Sequence, residues 1–156
     1  MAVEVERKFV LPEQPPWLRE HPSTAISQGY LVVGETVEVR LRDAGGKRLL
    51  TVKRGHGEVR EEVEIPLDYA QFEALWPLTE PLRVEKRRHL VPLDDDLTAE
   101  VDVFEGRREG LVLAEIEFPS EDESKRFRPP PWLGREVTGD DRYANQTLAQ
   151  SAPPQA

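Results

Sequence analysis

The chain opens with Glu4-Val5-Glu6-Arg7-Lys8, which sets two carboxylates and an ammonium at alternate positions. Successive side chains of an extended strand point to opposite faces, so Glu4, Glu6 and Lys8 would share one face. The same spacing recurs in Arg40/Arg42, Glu62/Glu64, Lys86/Arg88, Glu100/Asp102 and Glu115/Glu117, with Glu38 and Lys53 in phase on their own segments. These residue types select their ligands. Carboxylates suit hard divalent cations. Arg and Lys suit a polyanion, because guanidinium and ammonium groups pair strongly with phosphate oxygens. Like charges two residues apart repel each other, and a bound counter-ion removes that cost.

Positioning such a face requires strands. Apolar and charged residues alternate along Met1 to Val10, Thr36 to Arg42, Leu49 to Arg54, Glu61 to Ile65, Arg83 to Leu90, Thr98 to Phe104 and Leu111 to Phe118, and Gln28 to Val33 is a further short strand candidate. That makes about eight strands, bounded by turn sequences such as Asp43-Ala44-Gly45-Gly46, Gly55-His56-Gly57 and Asp94-Asp95-Asp96. Three helices are expected. One opens at Asp68, with Gln71 as capping-box partner, and stops at Pro77. A second opens at Ser120 with Glu123 in the same relation and ends before Pro129-Pro130-Pro131. A third covers about Asp140 to Gln150, with Tyr143, Thr147 and Leu148 at helical spacing. Pro15, Pro16 and Pro22 make Gln14 to Thr24 mostly a loop.

Two arrangements fit this pattern. An open antiparallel sheet would turn its charged face to water, with weak cross-strand ion pairs. A sheet closed on itself, with the helices outside, would make the charged face a lining. The second is favoured because few Ser, Thr or Gln residues dilute the charges, and because amphipathic helices need the sheet's apolar face to cover. The lining would hold nine acids and six bases, a net of −3. Such a lining cannot stay dry and empty, since unpaired charges are expensive away from water. Two divalent cations would add roughly +4, and a triphosphate would then bring it near neutrality.

The N-terminal ExExK pattern, the paired basic residues and the late Glu115-Ile116-Glu117 together resemble the CYTH superfamily, the triphosphate tunnel metalloenzymes. The likeness spans almost the whole length. Gln28-Gly29-Tyr30-Leu31, Glu73-Ala74-Leu75-Trp76-Pro77, Val84-Glu85-Lys86, Pro129-Pro130-Pro131-Trp132 and Arg142-Tyr143-Ala144-Asn145 are similar to its short bacterial inorganic triphosphatase branch. The resemblance implies a mainly β, α+β fold: an eight-stranded antiparallel closed β-barrel forming a tunnel, with a charged interior and a few helices packed outside. It implies that Lys8, Arg40, Arg42, Lys53, Lys86 and Arg88 hold phosphate oxygens and that Glu4, Glu6, Glu115 and Glu117 hold metal. Glu62, Glu64, Glu100 and Asp102 would be further metal-side acids. The implied cofactor is Mg²⁺ or Mn²⁺, two ions, and the implied reaction is attack of metal-activated water on tripolyphosphate. Glu4, Glu6 and Lys8 would be catalytic, Tyr30 would be a proton acceptor or gate, and the segment around Tyr143 would be a plug for one tunnel end. Rival readings are an adenylate cyclase, thiamine triphosphatase or nucleoside triphosphatase on the same fold, or a polyphosphate-binding module without catalysis.

Composition bounds the rest. Lys plus Arg number 21 against 30 Asp plus Glu, a net charge of −9, which argues against general affinity for nucleic acid or an anionic membrane. No cysteine is present, so disulfides, thiol nucleophiles and cysteine metal sites are excluded. No apolar run reaches the roughly 18–20 residues of a membrane span. The expectation is one cytoplasmic domain over residues 1–150, monomeric or homodimeric, with 151–156 a disordered tail. His21, His56 and His89 lack metal-ligand spacing and are read as surface or turn residues. Trp17, Trp76 and Trp132 are read as packing residues.

Overall fold

The computed structural model describes residues 2–56 and 58–150; the expected tail at 151–156 and Gly57 of the hairpin lie outside the described residues. Eight strands follow one another: β1 Ala2–Val10, β2 Ser23–Val33, β3 Val37–Ala44, β4 Lys47–His56, β5 Val59–Pro66, β6 Arg83–Pro92, β7 Thr98–Phe104 and β8 Val112–Glu117. A two-residue strand, β9 Arg135–Glu136, joins late. The sheet runs β5-β4-β3-β2-β6-β7-β8-β1, and β1 pairs back to β5, so the sheet closes into an antiparallel barrel. Closure leaves the eight strands no free edge along these pairings. One edge of β1 is shared: Ala2 to Val5 pair with β5, whereas Phe9 and Val10 pair with β9.

Alternation then dictates an inverted arrangement. The apolar residues of β1, β7 and β8 point outward: Val5, Phe9, Ala99, Val101, Val112, Ala114 and Ile116 form one buried cluster with Leu18 and Leu133. The two leucines come from short 3₁₀ turns, Pro16–Glu20 and Pro131–Leu133, which cover the outer wall. Burying side chains of this size contributes about 1.5–3 kcal/mol each. Trp17 and Trp132 meet edge to face between these turns, 5.0 Å apart. Helix α1, Tyr69–Leu75, carries the expected Asp68–Gln71 capping box and continues as a 3₁₀ turn through Pro77. Helix α2, Glu121–Arg126, is capped by Ser120. Under the 3₁₀ turn that follows α1, β2 passes so closely that a Cβ at Gly29 would lie 2.5 Å from Thr79 Oγ1, which accounts for the glycine.

Three expectations change. The third helix is not continuous: a 3₁₀ turn, Asp141–Tyr143, is followed by extended Ala144 and a single turn, α3 Asn145–Leu148. The Asp140 side chain caps the Arg142 N–H and ends the first piece early, and the break lets Tyr143 and Leu148 both reach the barrel interior. Strand β2 begins at Ser23 rather than Gln28, because Ser23 to Ile26 pair with β6 beyond the reach of Pro22. His89 is buried, not exposed, since its place on β6 turns it to the covered outer face. No helix among the described residues is long and apolar enough to cross a membrane.

Candidate active site

Along four neighbouring strands the inward face changes from charged to apolar in the same direction. Lys8 gives way to Val10 on β1, Glu115 to Leu113 on β8, Asp102 to Phe104 on β7, and Lys86 to Val84 on β6. Tyr30, Val84, Phe104 and Leu113 meet Tyr143, Leu148 and Ala149 of the C-terminal segment in a second apolar cluster. This cluster is the floor of a blind chamber. The segment around Tyr143 therefore closes one end, in line with the plug implied by the resemblance. It also reaches the charged residues: Lys8 Nζ donates to the Tyr143 carbonyl and Lys86 Nζ to Asn145 Oδ1, each at 3.1 Å.

Above the floor lies a cavity of about 210 Å³ lined by Glu4, Glu6, Lys8, Glu38, Arg40, Arg42, Lys53, Arg60, Glu62, Glu64, Arg88, Glu100, Glu115 and Glu117, with Ala144 and Asn145 of the plug. A smaller recess of about 60 Å³, bordered by Gly34 to Val37 and Val137 to Asp141, adjoins it and shares Glu6, Lys8, Glu38, Lys53 and Arg60. Fourteen of the fifteen residues expected at the site therefore line the main cavity or, for Lys86 and Asp102, stand directly behind its wall; Tyr30 is the exception in kind, since it forms part of the floor. Its hydroxyl accepts from Gln28 Nε2 at 3.1 Å, and burial pushes its pKa upward, so the phenol stays protonated.

Bases collect near the floor. Arg40 lies opposite Tyr30 and Arg42 opposite Gln28 on the β2–β3 register. Arg42 Nε donates to Gln28 Oε1 at 3.0 Å, a neutral partner. Burial and the charges of Arg40 and Arg88 draw Arg42 down to about 10. Arg40 is buried, and its Nε has no hydrogen-bond partner among the described residues. Three guanidinium groups thus crowd one end of a closed chamber, and such crowding favours an anion.

Acids dominate toward the mouth, where Glu64 and Glu117 are exposed. Deeper in, Glu4 receives Lys53 at 3.1 Å and Arg60 at 3.4 Å, Glu6 receives Arg60 at 2.7 Å, and Glu115 receives Lys8 at 3.4 Å. Burial and the neighbouring Glu115 and Glu4 raise Glu6 to about 7, against the pull of Lys53 and Lys8. Burial also works to raise Glu115, but Lys8, Arg88 and Lys86 outweigh it and hold that carboxyl well below the usual range. Glu117 is raised by burial and by Glu4, Glu100 and Glu62. Among the described residues no three acidic or imidazole side chains converge on one point, because Arg60 and Lys53 occupy the oxygens of Glu4 and Glu6.

Arg60 is the main residue that sequence reasoning omitted. It shares the parity of Glu62 and Glu64, and the segment boundary drawn at Glu61 left it out. Asn145 stands out in the sequence only within the Arg142-Tyr143-Ala144-Asn145 resemblance, and no pattern marks Gln28 as the partner of both Tyr30 and Arg42.

The chain matches no family model. It is 46% identical over 151 residues to an inorganic triphosphatase of Nitrosomonas europaea, covering 96% of this chain and 99% of that protein. The chain belongs to the inorganic triphosphatases of the CYTH superfamily. A second relative, an inorganic triphosphatase of Acetivibrio thermocellus, is 39% identical over 154 residues, covering 97% and 96% of the two chains. The crystal structure of the inorganic triphosphatase NE1496 superposes with a TM-score of 0.70 at 44% identity, covering 98% of each chain. For this CYTH chain the fold and the closed, charge-lined chamber belong together: the outward apolar face is what turns the acids and bases inward.

Proposed function

We propose that this chain hydrolyses inorganic tripolyphosphate to pyrophosphate and orthophosphate inside the chamber, with divalent cations and in a cytoplasmic setting. The observation that carries the reading is the bank of Arg40, Arg42 and Arg88 at the apolar floor, with Arg42 donating to the Gln28 amide oxygen rather than to a carboxylate among the described residues, facing a ring of carboxylates. Among the described residues the charged wall of the cavity carries no aromatic ring, the aromatic side chains being packed together in the apolar floor, so a nucleoside or thiazolium group finds no stacking partner along that wall. An all-phosphate substrate meets what is there.

Each part then has a task. Arg40, Arg42 and Arg88 take the inner phosphate oxygens, and Lys8 and Lys53 the next, so charge is relieved along the chain and the reacting phosphorus is fixed in line. Glu4, Glu6, Glu115 and Glu117 are the residues that would hold Mg²⁺ or Mn²⁺. They fit such ions as hard oxygen donors, and Glu6 and Glu117 are raised first by burial and then by the carboxylates beside them, which a bound cation would relieve. When bound, the ions supply neutralisation of phosphate oxygens and acidification of water. Arg60, which pairs with Glu4 and Glu6 here, would be free to meet phosphate oxygens if those carboxylates held ions instead. The chain has no Cys nucleophile, and in this reading water attacks the terminal phosphorus and the pyrophosphate leaves in line.

The test is phosphate release across tripolyphosphate, ATP and thiamine triphosphate with Mg²⁺, Mn²⁺ or chelator. Tripolyphosphate with a divalent ion should be fastest, and Glu4→Gln and Glu6→Gln should abolish turnover while binding largely survives. Faster turnover of ATP or thiamine triphosphate, or a trapped phosphoenzyme, would overturn the reading; tight binding without release would make the chain a binding module.

A further inference from the structure

The acid pair Glu100/Asp102 on β7 divides in the structure. Glu100 lines the cavity, with its side chain 37% exposed. Asp102 sits one step deeper, its side chain is 2% exposed, and it does not line the cavity. Both its oxygens are taken by basic residues. Lys86 Nζ approaches Oδ2 at 2.7 Å, Arg88 Nε donates to Oδ1 at 2.8 Å, and Arg88 Nη2 donates to Oδ2 at 2.9 Å. Arg88 is therefore gripped along its Nε–Nη2 edge. Its Nη1 donates to Glu100 at 3.3 Å and makes no other hydrogen bond among the described residues, Asp102 holding the opposite edge. Lys86 is fully buried, lies 5.4 Å over the Phe104 ring, and donates to Asn145 of the plug.

Building on the triphosphatase reading, we infer that Asp102 is a positioning residue and not a cation ligand: it clamps Lys86 and Arg88 against the floor so that Arg88 presents its Nη1 edge to the inner phosphate. Three donors already occupy the carboxylate, so a cation there would have to expel an ammonium and a two-point guanidinium fork from a site closed to water. The clamp also orders two long side chains, whose rotamer freedom would otherwise be lost on binding, before the substrate arrives. Through Lys86 it joins the plug to the phosphate floor, so a residue outside the cavity holds together three elements that form it.

Asp102→Asn separates this role from its rivals by sign. The change removes one negative charge beside an anion site, so electrostatics alone would tighten phosphate binding. Loss of the clamp predicts the opposite. Titration of the full chain with tripolyphosphate in chelator, followed by calorimetry, should show binding about 10-fold weaker than wild type, the scale of one lost charge-assisted fork. In turnover, KM for tripolyphosphate should rise by a similar factor while the Mg²⁺ concentration for half-activation stays within about twofold. Arg88→Lys keeps the charge, lacks the fork, and should reproduce the weaker binding even if Asp102→Asn fails to fold. Unchanged or tighter tripolyphosphate binding in either variant, or a large rise in the Mg²⁺ requirement of Asp102→Asn, overturns the clamp. Absence of both binding and turnover in wild type overturns instead the triphosphatase reading on which it rests.

Discussion

Glu6 offers a quantitative check on the crowding of acids. In the ion-free protein its pKa is raised to about 7 from an ordinary 4.5, first by burial and then by Glu115 and Glu4. A carboxyl raised on folding binds its proton more tightly in the folded state, so its contribution is fully present below pH 4.5 and is lost as pH rises through 7. Between pH 6 and 8.5 the loss comes to about 1.4 kcal/mol. For a chain of 156 residues that corresponds to about 3–6 °C in Tm. Lys86, drawn down to about 7 chiefly by burial, works in the other direction, gaining stability as pH rises. The measured quantity is therefore the difference between wild type and Glu6→Gln, in which Lys86 cancels. Melting both proteins by circular dichroism in chelator at constant ionic strength should show Glu6→Gln gaining about 3–6 °C on wild type from pH 6 to pH 8.5. The competing effect is Arg60, 2.7 Å from Glu6, but that guanidinium is shared with Glu4 and Glu38. A difference that stays constant with pH would mean that Arg60 holds Glu6 ionised throughout, and the crowding argument would fail.

Arg60 and the arginine bank yield two further expectations. Because Arg60 occupies Glu4 and Glu6, Arg60→Ala should lower the divalent-ion concentration for half-activation several-fold, measured by phosphate release; a higher requirement would mean that Arg60 organises those carboxylates for the ion. Tripolyphosphate in chelator at about 100 times its Kd should stabilise wild type by about 2.7 kcal/mol, and most of that shift should vanish in Arg42→Met by thermal melting.

The barrel wall was legible in the sequence because its two faces differ in chemistry at every second residue. Val5, Phe9, Ala114 and Ile116 take the covered outer face, and Glu4, Glu6, Glu115 and Glu117 the inner one. What escaped had no such contrast. Ser23 to Ile26 lack alternating charge, so the start of β2 was hidden until its hydrogen bonds to β6 appeared. The break at Ala144 depends on Asp140 capping Arg142 and on the floor pulling Tyr143 and Leu148 inward, and helical spacing alone is blind to both. The different fates of Glu100 and Asp102 were equally hidden: parity places both inside, but depth along the barrel axis decides which is cavity wall and which is clamp.

Depth also orders the charges, and that order bears on how a polyanion enters. Arg40, Arg42, Arg88 and Lys86 lie next to the sealed floor, whereas Glu64, Glu100 and Glu117 stand toward the mouth. A bare triphosphate would have to cross a negative rim before any base could attract it, and a rim of that sign slows an anion and concentrates cations. In the proposed function, divalent cations held by the rim carboxylates would lower that barrier, and the arginines would then take the leading phosphate group. The chamber closes behind the leading phosphate at the plug, so the chain stops with its outer end still among the carboxylates. Under the proposed function, the arginines at the floor would anchor one end of the substrate and leave the other to react among the carboxylates toward the mouth.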